Sequence, residues 1–404
     1  MAKKVTKNIF GTNDIFSALS TAAKKTGITI DDGKKRSYIS TGIYCVNAVI
    51  SRSIFGGCPA NRSLVLFGEP GVGKSFILFN ILRNAVKDDY TCIFVDTENS
   101  IEETELEANG INVSKVKILR INKVEDAIMT LAPFFEDLIN KKKEGLEIGK
   151  IALFIDSVSN FSSIKEIDDS VENKIKQDMT RNKGIKKLLR IVNGYLAELK
   201  GPMIITGQVY NDINSFVPKM VVNGGPAVIY IPSIAIGLTK AKHETGTEDE
   251  LSSSDAVRIT LTAKKNRLAV PKKIKMLLDY KKGVNPYYFL DFWCTKENYE
   301  KVGIVQAKVT TENGKTKFEA SKQWYVRHLD KMIVEKQLFN SKVFTQSVLE
   351  ALEPIISEYF KYSSYDEQQK FEEEFDTEVS NLDDVDDSDF NLDNPSDDAK
   401  LFDK

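Results

Sequence analysis

The chain has 404 residues, with 56 Lys and Arg against 58 Asp and Glu, and 42% of its residues are hydrophobic. This apolar fraction supports a sizeable core, and no run approaches the roughly 18 uninterrupted apolar residues of a membrane span. Four scattered cysteines and two histidines argue against a disulfide framework and a histidine-rich metal centre. Since the first residues also lack the apolar segment of a secretory signal, we expect a cytoplasmic protein with no membrane contact.

The charges are distributed unevenly along the chain. Residues 366–404 contain 16 acidic and three basic residues, a net charge of −13, which leaves 53 basic and 42 acidic residues, a net charge of +11, in 1–365. A basic body is typical of proteins that bind polyanions, and a tethered acidic tail can compete for the same surface. The tail can equally serve solubility alone. Its low apolar content predicts disorder.

The first predicted element is a short helix. An apolar stripe at helical spacing runs from Ile15 to Ala22, and turn residues follow from Gly27. Because so short an arm cannot bury its own stripe, we expect residues 1–34 to pack on the main body or on a neighbouring subunit.

Between about residues 60 and 240, short apolar runs alternate with helical segments. Runs of this length and continuity predict strands that are buried on both faces. The alternation therefore predicts an α/β fold with a largely parallel sheet flanked by helices. The strands are predicted at Leu64–Phe67, Cys92–Val95, Ile151–Ile155, Met203–Ile205 and Ile234–Leu238, with helices over Val124–Lys141 and Arg181–Lys200.

A hairpin and a small lobe are predicted after this region. Residues 257–262 alternate between apolar and polar and, with 273–278, predict a hairpin at the sheet edge. A turn signal at Glu312–Gly314 and an amphipathic helix near 343–361 follow. We therefore expect four parts: an N-terminal oligomerisation arm (1–34), a core (35–285), a C-terminal lobe (286–365) and the disordered tail (366–404).

The most specific motif is a glycine-rich loop between the first of these strands and a helix. Residues 68–75 read GEPGVGKS and match G-x-x-x-x-G-K-[ST] in the context that a phosphate-binding loop requires. In such a loop, backbone N–H groups face one anion, the lysine contacts the β- and γ-phosphates, and the hydroxyl ligates Mg²⁺. The residues predicted to line the phosphates are Gly68, Glu69, Pro70, Gly71, Val72, Gly73, Lys74 and Ser75.

Two carboxylates and an amide follow three of the predicted strands. Asp156 closes IALFID, a position from which a carboxylate holds Mg²⁺. Glu98 follows CIFVD and Gln208 follows MIIT, at the strand ends where open α/β sheets bind ligands. We predict that Glu98 deprotonates an attacking water and that Gln208 contacts a γ-phosphate. For each acid taken alone, capping a helix is the alternative. Polar segments after these strands, 160–178 and 209–225, are predicted to be functional loops.

Several blocks of the sequence resemble the RecA family of recombinases and, within it, the phage UvsX-type recombinases. The resemblance covers residues 35–300 well and the remainder loosely, and the phage branch rests on DSVSNF, the DMTR block and the acidic tail. The matching blocks are ISTG at 39–42, GGCPANRSLVLFGEPGVGKS at 56–75, CIFVDTEN at 92–99, IALFIDSVSNF at 151–161, DMTRNKGIKKLLRIV at 178–192, MIITGQV at 203–209 and NGGPAVIYIPS at 223–233.

The resemblance implies a DNA-dependent ATPase that uses ATP and Mg²⁺. Such proteins form helical filaments on single-stranded DNA and catalyse homologous pairing and strand exchange with double-stranded DNA. Glu98 falls on the family's catalytic glutamate and Gln208 on its γ-phosphate sensor, where some phage relatives carry His. The block KNRLAVP implies that Lys265 and Arg267 reach the ATP of a neighbouring subunit, although bacterial relatives carry Lys at one of these positions. The implied DNA contacts are Arg181, Lys183, Lys219, Gly224 and Gly225.

The resemblance also implies partners and a location. We expect a single-strand-binding protein and a loader as partners, and the host cytoplasm as the location if a phage encodes the chain. The basic helix that begins at Arg181 is either a DNA-binding face or a solvated one. The apolar residues Val217 and Met220–Val222 either wedge between bases or belong to the core.

Two other functions stay open from the sequence. A hexameric helicase of the RecA fold shares the phosphate loop and catalysis between subunits, but the short N-terminal arm argues against it. A recombination mediator binds nucleotide without turnover, and the intact set of Lys74, Ser75, Glu98, Asp156 and Gln208 argues against that.

Overall fold

Ten helices and fifteen strands occur in the described part of the chain. The computed structural model describes residues 12–26, 37–171, 180–212, 219–240, 256–312, 315–365 and 367–368. The helices are α1 (Thr12–Thr26), α2 (Tyr44–Ser51), α3 (Lys74–Lys87), α4 (Glu103–Ala108), α5 (Val124–Lys143), α6 (Ile164–Val171), α7 (Thr180–Leu199), α8 (Ala227–Tyr230), α9 (Tyr299–Val302) and α10 (Gln346–Tyr359). No helix among them is long and apolar enough to cross a membrane.

The strands form one large sheet and two small ones within the same described ranges. They are β1 (Tyr38–Ile39), β2 (Cys58–Pro59), β3 (Ser63–Gly68), β4 (Thr91–Asp96), β5 (Val116–Arg120), β6 (Ile151–Asp156), β7 (Met203–Asp212), β8 (Lys219–Val222), β9 (Ile234–Lys240), β10 (Ala256–Asn266), β11 (Lys273–Asp279), β12 (Gly283–Val284), β13 (Ile304–Glu312), β14 (Lys315–Val326) and β15 (Lys331–Ile333). Described residues up to Phe360 belong to one unit, and those from Lys361 onward belong to a second.

The large sheet has the strand order β12-β11-β10-β9-β3-β7-β6-β4-β5, and β8 pairs with β7. The six strands from β9 to β5 are mutually parallel, whereas β10, β11 and β12 are antiparallel additions at one edge. The predicted α/β fold is therefore confirmed, together with the five predicted strands and the appended hairpin.

Alternate residues of the central strands pack into two separate cores. On β3, Leu64 and Leu66 face the core that contains α2 and α3, whereas Val65 and Phe67 face the core that contains α5 and α7. Both faces of each strand are thus covered, which explains why these strands are nearly continuous apolar runs in the sequence.

The C-terminal part adds an antiparallel sheet of β13, β14 and β15, followed by α10. The core on the α3 side of the large sheet continues into this part through Trp293, Phe344 and Phe360. The predicted helix near 343–361 is confirmed as α10. The predicted turn residues 313–314 and the acidic tail, apart from Glu367 and Gln368, lie outside the described residues. The division of the chain at 34, 285 and 365 stays a prediction.

The apolar stripe of α1 is largely exposed in the single chain. Ile15, Phe16 and Leu19 are 55%, 60% and 56% exposed, whereas Ala23 is buried. The predicted helix is present, and most of its apolar face has no cover from the described residues of its own chain.

Two segments predicted as loops are more regular than expected. β7 continues to Asp212, and its residues 209–212 pair antiparallel with 219–222 of β8, whereas 213–218 lie outside the described residues. In the other segment, α6 occupies Ile164–Val171, and 172–179 are not described. The prediction of irregular backbone was wrong for the described parts, where a ladder and a helix supply the partners that backbone N–H and C=O groups need.

Candidate nucleotide and DNA site

The phosphate loop turns sharply from β3 into α3. Gly73, just before α3, has φ +80°, and a Cβ there would lie 2.9 Å from Cδ2 of Leu278. A Cβ on Gly68 would lie 2.4 Å from the carbonyl oxygen of Leu238 on β9. Glycine is therefore required at both ends of the loop. The turn leaves the unpaired N–H groups of the first turn of α3 at the carboxyl edge of the sheet, which is favourable for binding an anion.

Lys74 lies buried beneath the loop. Its Nζ donates to the carbonyl oxygens of Gly68 and Glu69, at 3.0 and 2.7 Å. Burial lowers the pKa of Lys74, and the carboxylates of Asp156, Glu98 and Glu69 act in the opposite direction. The loop thus holds a positively charged donor close to several acidic groups. A phosphate group would be attracted to the lysine, and a Mg²⁺ ion bound to that phosphate would be attracted to the carboxylates.

Ser75 and Asp156 meet between α3 and the end of β6. The Ser75 hydroxyl donates to Oδ2 of Asp156 at 3.0 Å, and Thr206 donates to Oδ1. A hydroxyl and a carboxylate are the oxygen ligands that Mg²⁺ uses when it keeps several waters and substrate phosphates. No cluster of three or more His, Cys, Asp or Glu suited to a metal occurs among the described residues. The donor set therefore fits a nucleotide-bound Mg²⁺ rather than an all-protein metal cage.

Glu98 is exposed just beyond β4, and its neighbour Asp96 fixes the turn that presents it. The buried carboxylate of Asp96 accepts from the backbone N–H groups of Glu98 and Ile101, each at 3.1 Å. Oε1 of Glu98 accepts from the side-chain amides of Asn160, at 2.6 Å, and Gln208, at 3.4 Å. The Asp96 carboxylate thus fixes the turn after β4, whereas the N-cap position of α4 belongs to Glu102. Glu98 and Gln208 lie in contact.

A hydrogen-bonded junction joins this carboxylate site to the candidate DNA segments. The Ser159 hydroxyl accepts from the backbone N–H of Gln208 at 2.7 Å and contacts the carbonyl oxygen of Asn223 at 3.4 Å. The Asn223 side chain in turn accepts from Arg181 at the start of α7. Sequence reasoning missed Asn160, Ser159 and Asn223. The available signal was their position in the sequence. Ser159 and Asn160 follow the acid Asp156 at the end of β6, and Asn223 precedes the glycine pair 224–225.

The candidate DNA contacts are brought together only in part. Arg181 lies beside Asn223 and 3.8 Å from Oε1 of Glu166. Gly224 and Gly225 pack on α7, where a Cβ on Gly225 would lie 3.3 Å from Cγ of Asn182. Lys183 is exposed on α7, as are Lys186, Lys187 and Arg190, whereas the side chain of Lys219 is outside the described set. Val222 is buried, so for this residue the core alternative holds.

Lys265 and Arg267 do not lie at the phosphate loop of their own chain. Lys265 on β10 pairs with Ala235 near the start of β9, whereas Gly68 pairs with Leu238, three residues further along β9. At about 3.3 Å per residue, the two positions are separated by roughly 10 Å along the strand. The structure therefore places Lys265 away from the loop, in the direction of the amino ends of the parallel strands.

Lys265 is held by backbone carbonyl groups. Its Nζ donates to the carbonyl oxygens of Tyr230 and Pro232 at 2.5 and 2.6 Å. Partial burial lowers the pKa of Lys265, and the charge of Arg267 acts in the same direction. Arg267 itself is exposed. The two cations thus lie close together, and Lys265 is bound to carbonyl groups of its own chain.

Tyr280 makes a contact with the phosphate loop that the sequence did not predict. It follows β11, and its hydroxyl donates to the carbonyl oxygen of Gly71 at 3.1 Å. The side chain is 50% exposed. The appended edge hairpin therefore supports the loop from the side opposite to Glu98, since β11 and β4 lie on opposite sides of β3 in the sheet.

The loop, the Ser75–Asp156 pair and the carboxylate at one edge of a parallel sheet define a P-loop nucleotide-binding protein. Comparison with known families matches the RecA N-terminal domain over residues 20–285. The chain belongs to the RecA family, as its sequence blocks predicted.

The curated relatives include proteins from a phage, a bacterium and an archaeon. The recombination and repair protein of Enterobacteria phage T4 is 28% identical over 258 residues, which span 63% of this chain and 62% of that protein. Protein RecA of Mesoplasma florum is 23% identical over 336 residues, 79% of this chain and 92% of its own length. The DNA repair and recombination protein RadB of Thermoplasma acidophilum is 24% identical over 188 residues, 46% of this chain and 73% of its own length.

Proposed function

We propose that this protein is an ATP-dependent recombinase that forms helical filaments on single-stranded DNA and catalyses homologous pairing and strand exchange. Family membership and the names of the relatives support this class of activity. The observation that carries the proposal is the contact of Glu98 with Gln208, at the same sheet edge as Lys74 and the Ser75–Asp156 pair. A carboxylate held by an uncharged amide next to a phosphate loop suits hydrolysis of a nucleoside triphosphate.

In this proposal each group has one task in ATP hydrolysis. Residues 68–75 bind the phosphates through backbone N–H groups and Lys74, while Ser75 and Asp156 hold Mg²⁺. The ion, when bound, offsets the charge on the phosphate oxygens. Glu98 accepts a proton from the attacking water, and the Gln208 amide contacts the γ-phosphate.

The proposed DNA site lies on the α7 side of the same edge. Arg181, Lys183, Lys219, Gly224 and Gly225 are its candidate contacts, and the net charge of +11 over residues 1–365 favours a polyanion. We infer that the protein also binds double-stranded DNA, a single-strand-binding protein and a loader, in the cytoplasm of the host if a phage encodes it.

Each nucleotide is proposed to lie between two subunits. Lys265 lies three residues along β9 from the position that pairs with Gly68, and Lys265 and Arg267 are proposed to reach the ATP of a neighbour. The exposed face of α1 is proposed to pack on a neighbouring subunit in the same assembly. A head-to-tail contact of this kind that does not close into a ring generates a helical filament.

The test of this function compares ATP hydrolysis with and without single-stranded DNA, alongside an assay of joint-molecule formation between homologous DNAs. We expect DNA to stimulate hydrolysis and joint molecules to depend on ATP. Nucleotide binding without stimulated turnover would support a mediator instead. Closed rings rather than open filaments on DNA in electron micrographs would support a helicase.

The neighbour-acting cations give a further prediction. Lys265→Ala and Glu98→Gln proteins, each deficient alone, should regain ATP hydrolysis when mixed before DNA is added. In an equimolar mixed filament, about one interface in four then pairs an intact Glu98 with an intact Lys265. We expect the DNA-stimulated rate of the mixture to approach a quarter of the wild-type rate.

The control for this mixture is the double variant, Glu98→Gln with Lys265→Ala, mixed with either single variant. No interface in these mixtures is intact, so no recovery is expected. If the two single variants co-assemble on DNA yet show no recovery, the assignment of Lys265 to the neighbour's nucleotide is wrong.

A further inference from the structure

The carboxylate of Glu98 is held mainly by Asn160. The Asn160 amide donates to Oε1 at 2.6 Å, whereas the Gln208 amide lies at 3.4 Å from the same oxygen. A short hydrogen bond to an ionised acceptor is among the stronger kinds in proteins. Because both amides contact Oε1, Oε2 is the oxygen that stays available to accept a proton.

Asn160 sits on a firmly anchored piece of backbone. It ends a short 3₁₀ turn, Val158–Asn160, directly after β6, and its N–H donates to the carbonyl oxygen of Ser157 at 3.2 Å. The next residue, Phe161, is 1% exposed, and the N–H of Ser162 donates to Asn122 at 2.8 Å. The amide of Asn160 therefore projects from a fixed platform through only two side-chain torsions.

Glu98, by contrast, has little of its own to hold it. Its side chain is exposed, and its neighbour Asn99 has φ +53°, which marks a sharp turn. A free glutamate side chain loses considerable rotamer entropy when it is confined to one geometry. A rigid partner that confines it beforehand lowers this cost at the moment of reaction.

The chemistry of an amide suits this task. A lysine or arginine at the same place would also hold the carboxylate, but its positive charge would reduce the tendency of the carboxylate to take up a proton. An amide orients the carboxylate without adding charge. Gln208, with a longer side chain and the longer contact, is then free to exchange Glu98 for another partner.

We propose that Asn160 is a positioning residue for ATP hydrolysis, which fixes Glu98 and leaves Gln208 free to respond to the γ-phosphate. This inference rests on the proposed function, in which Glu98 is the general base. It assigns Asn160, rather than Gln208, as the group that sets the geometry of that base.

The test uses two substitutions in the full-length protein, Asn160→Ala and Asn160→Asp, assayed with saturating single-stranded DNA. Asn160→Ala should lower kcat for ATP about 10- to 100-fold, the effect of losing a hydrogen bond to a charged group, with little change in KM. Asn160→Asp should also shift the rising limb of the kcat–pH profile to higher pH, because a second carboxylate disfavours ionisation of the first.

Asn140→Asp is the matched control, since it makes the same change at an exposed position of α5. This site is 16 residues beyond the start of the helix at Val124, or roughly 24 Å along its axis. We expect wild-type kcat and an unshifted pH profile from the control. Thermal unfolding of each variant tests whether the fold is retained.

The outcomes separate this inference from the proposed function. If Glu98→Gln abolishes hydrolysis but Asn160→Ala stays within twofold of wild type, Asn160 does not position the base. If Asn160→Asp lowers kcat with an unshifted pH profile, its role is structural and the inference also fails. Normal hydrolysis by Glu98→Gln would instead overturn the proposed role of Glu98 itself.

Discussion

Replacing Lys74 by alanine is expected to lower ATP turnover about 100- to 1,000-fold, the loss seen when one preorganised donor to a developing charge is removed. Nζ of Lys74 is buried and lies within 3.0 Å of two carbonyl oxygens of the loop. The substitution therefore removes a buried cation from the proposed phosphate site. We expect weaker ATP binding as well as slower hydrolysis.

The fold should survive this substitution. Burial lowers the pKa of Lys74, so the folded protein holds the charged form less favourably than water does. Removing the charge therefore should not lower the thermal unfolding midpoint measured without nucleotide. Lys87→Ala is the matched control, because Lys87 is exposed at the other end of α3. Full ATPase activity of Lys74→Ala would contradict the phosphate-loop assignment.

The parts of the fold that the sequence predicted well are those that burial determines locally. The run Leu64–Phe67 and its parallel neighbours are nearly continuous apolar runs because helices cover both faces of the sheet. The edge strand β5 was missed, since its sequence VKILR is only partly buried and mixes charged with apolar residues. Edge strands of this kind have no continuous apolar run to reveal them.

The strand order explains why part of the site was not predictable. β7 lies between β3 and β6, and β4 lies on the far side of β6, so chain order does not reveal which strand ends are adjacent. Glu98 and Asn160 are 62 residues apart and come into contact only through this order. The motif and the strand ends indicated the residues that are proposed to act on the nucleotide, whereas the contacts of their supporting partners depend on tertiary structure that spacing does not encode.

The antiparallel pairing of β7 with β8 after Gln208 shows a second kind of limit. Polar residues with a proline and two glycines predicted a loop, but Val209 pairs with Val222, and Asp212 pairs with Lys219. A two-stranded ribbon has little apolar surface to bury, so its pattern is weak in the sequence. This pair of strands extends the strand that carries Gln208 and precedes Gly224 and Gly225, two of the proposed DNA contacts.

Replacing Glu98 by glutamine is expected to keep ATP binding and to slow hydrolysis about 100- to 10,000-fold, the usual contribution of a positioned general base. The amide has nearly the shape of the carboxylate, and its oxygen can still accept from Asn160 and Gln208. It has no tendency to take a proton from water at neutral pH. The variant should therefore form long-lived ATP-bound filaments on single-stranded DNA, seen as slow dissociation after a challenge with competitor DNA.

Glu107→Gln, at an exposed position of α4, makes the same change away from the site and should leave every rate unchanged.

The comparison of Glu98→Gln with Lys74→Ala is a sharper test than this control. Loss of Lys74 should weaken nucleotide binding and filament formation as well as slow hydrolysis. Loss of the Glu98 charge should slow hydrolysis but leave nucleotide binding and filament formation intact. Binding and turnover can separate in this way only if Glu98 acts on the water and not on the phosphates. Normal hydrolysis by Glu98→Gln would mean that another group activates the water, and equal loss of binding in the two variants would mean that Glu98 helps to bind the nucleotide.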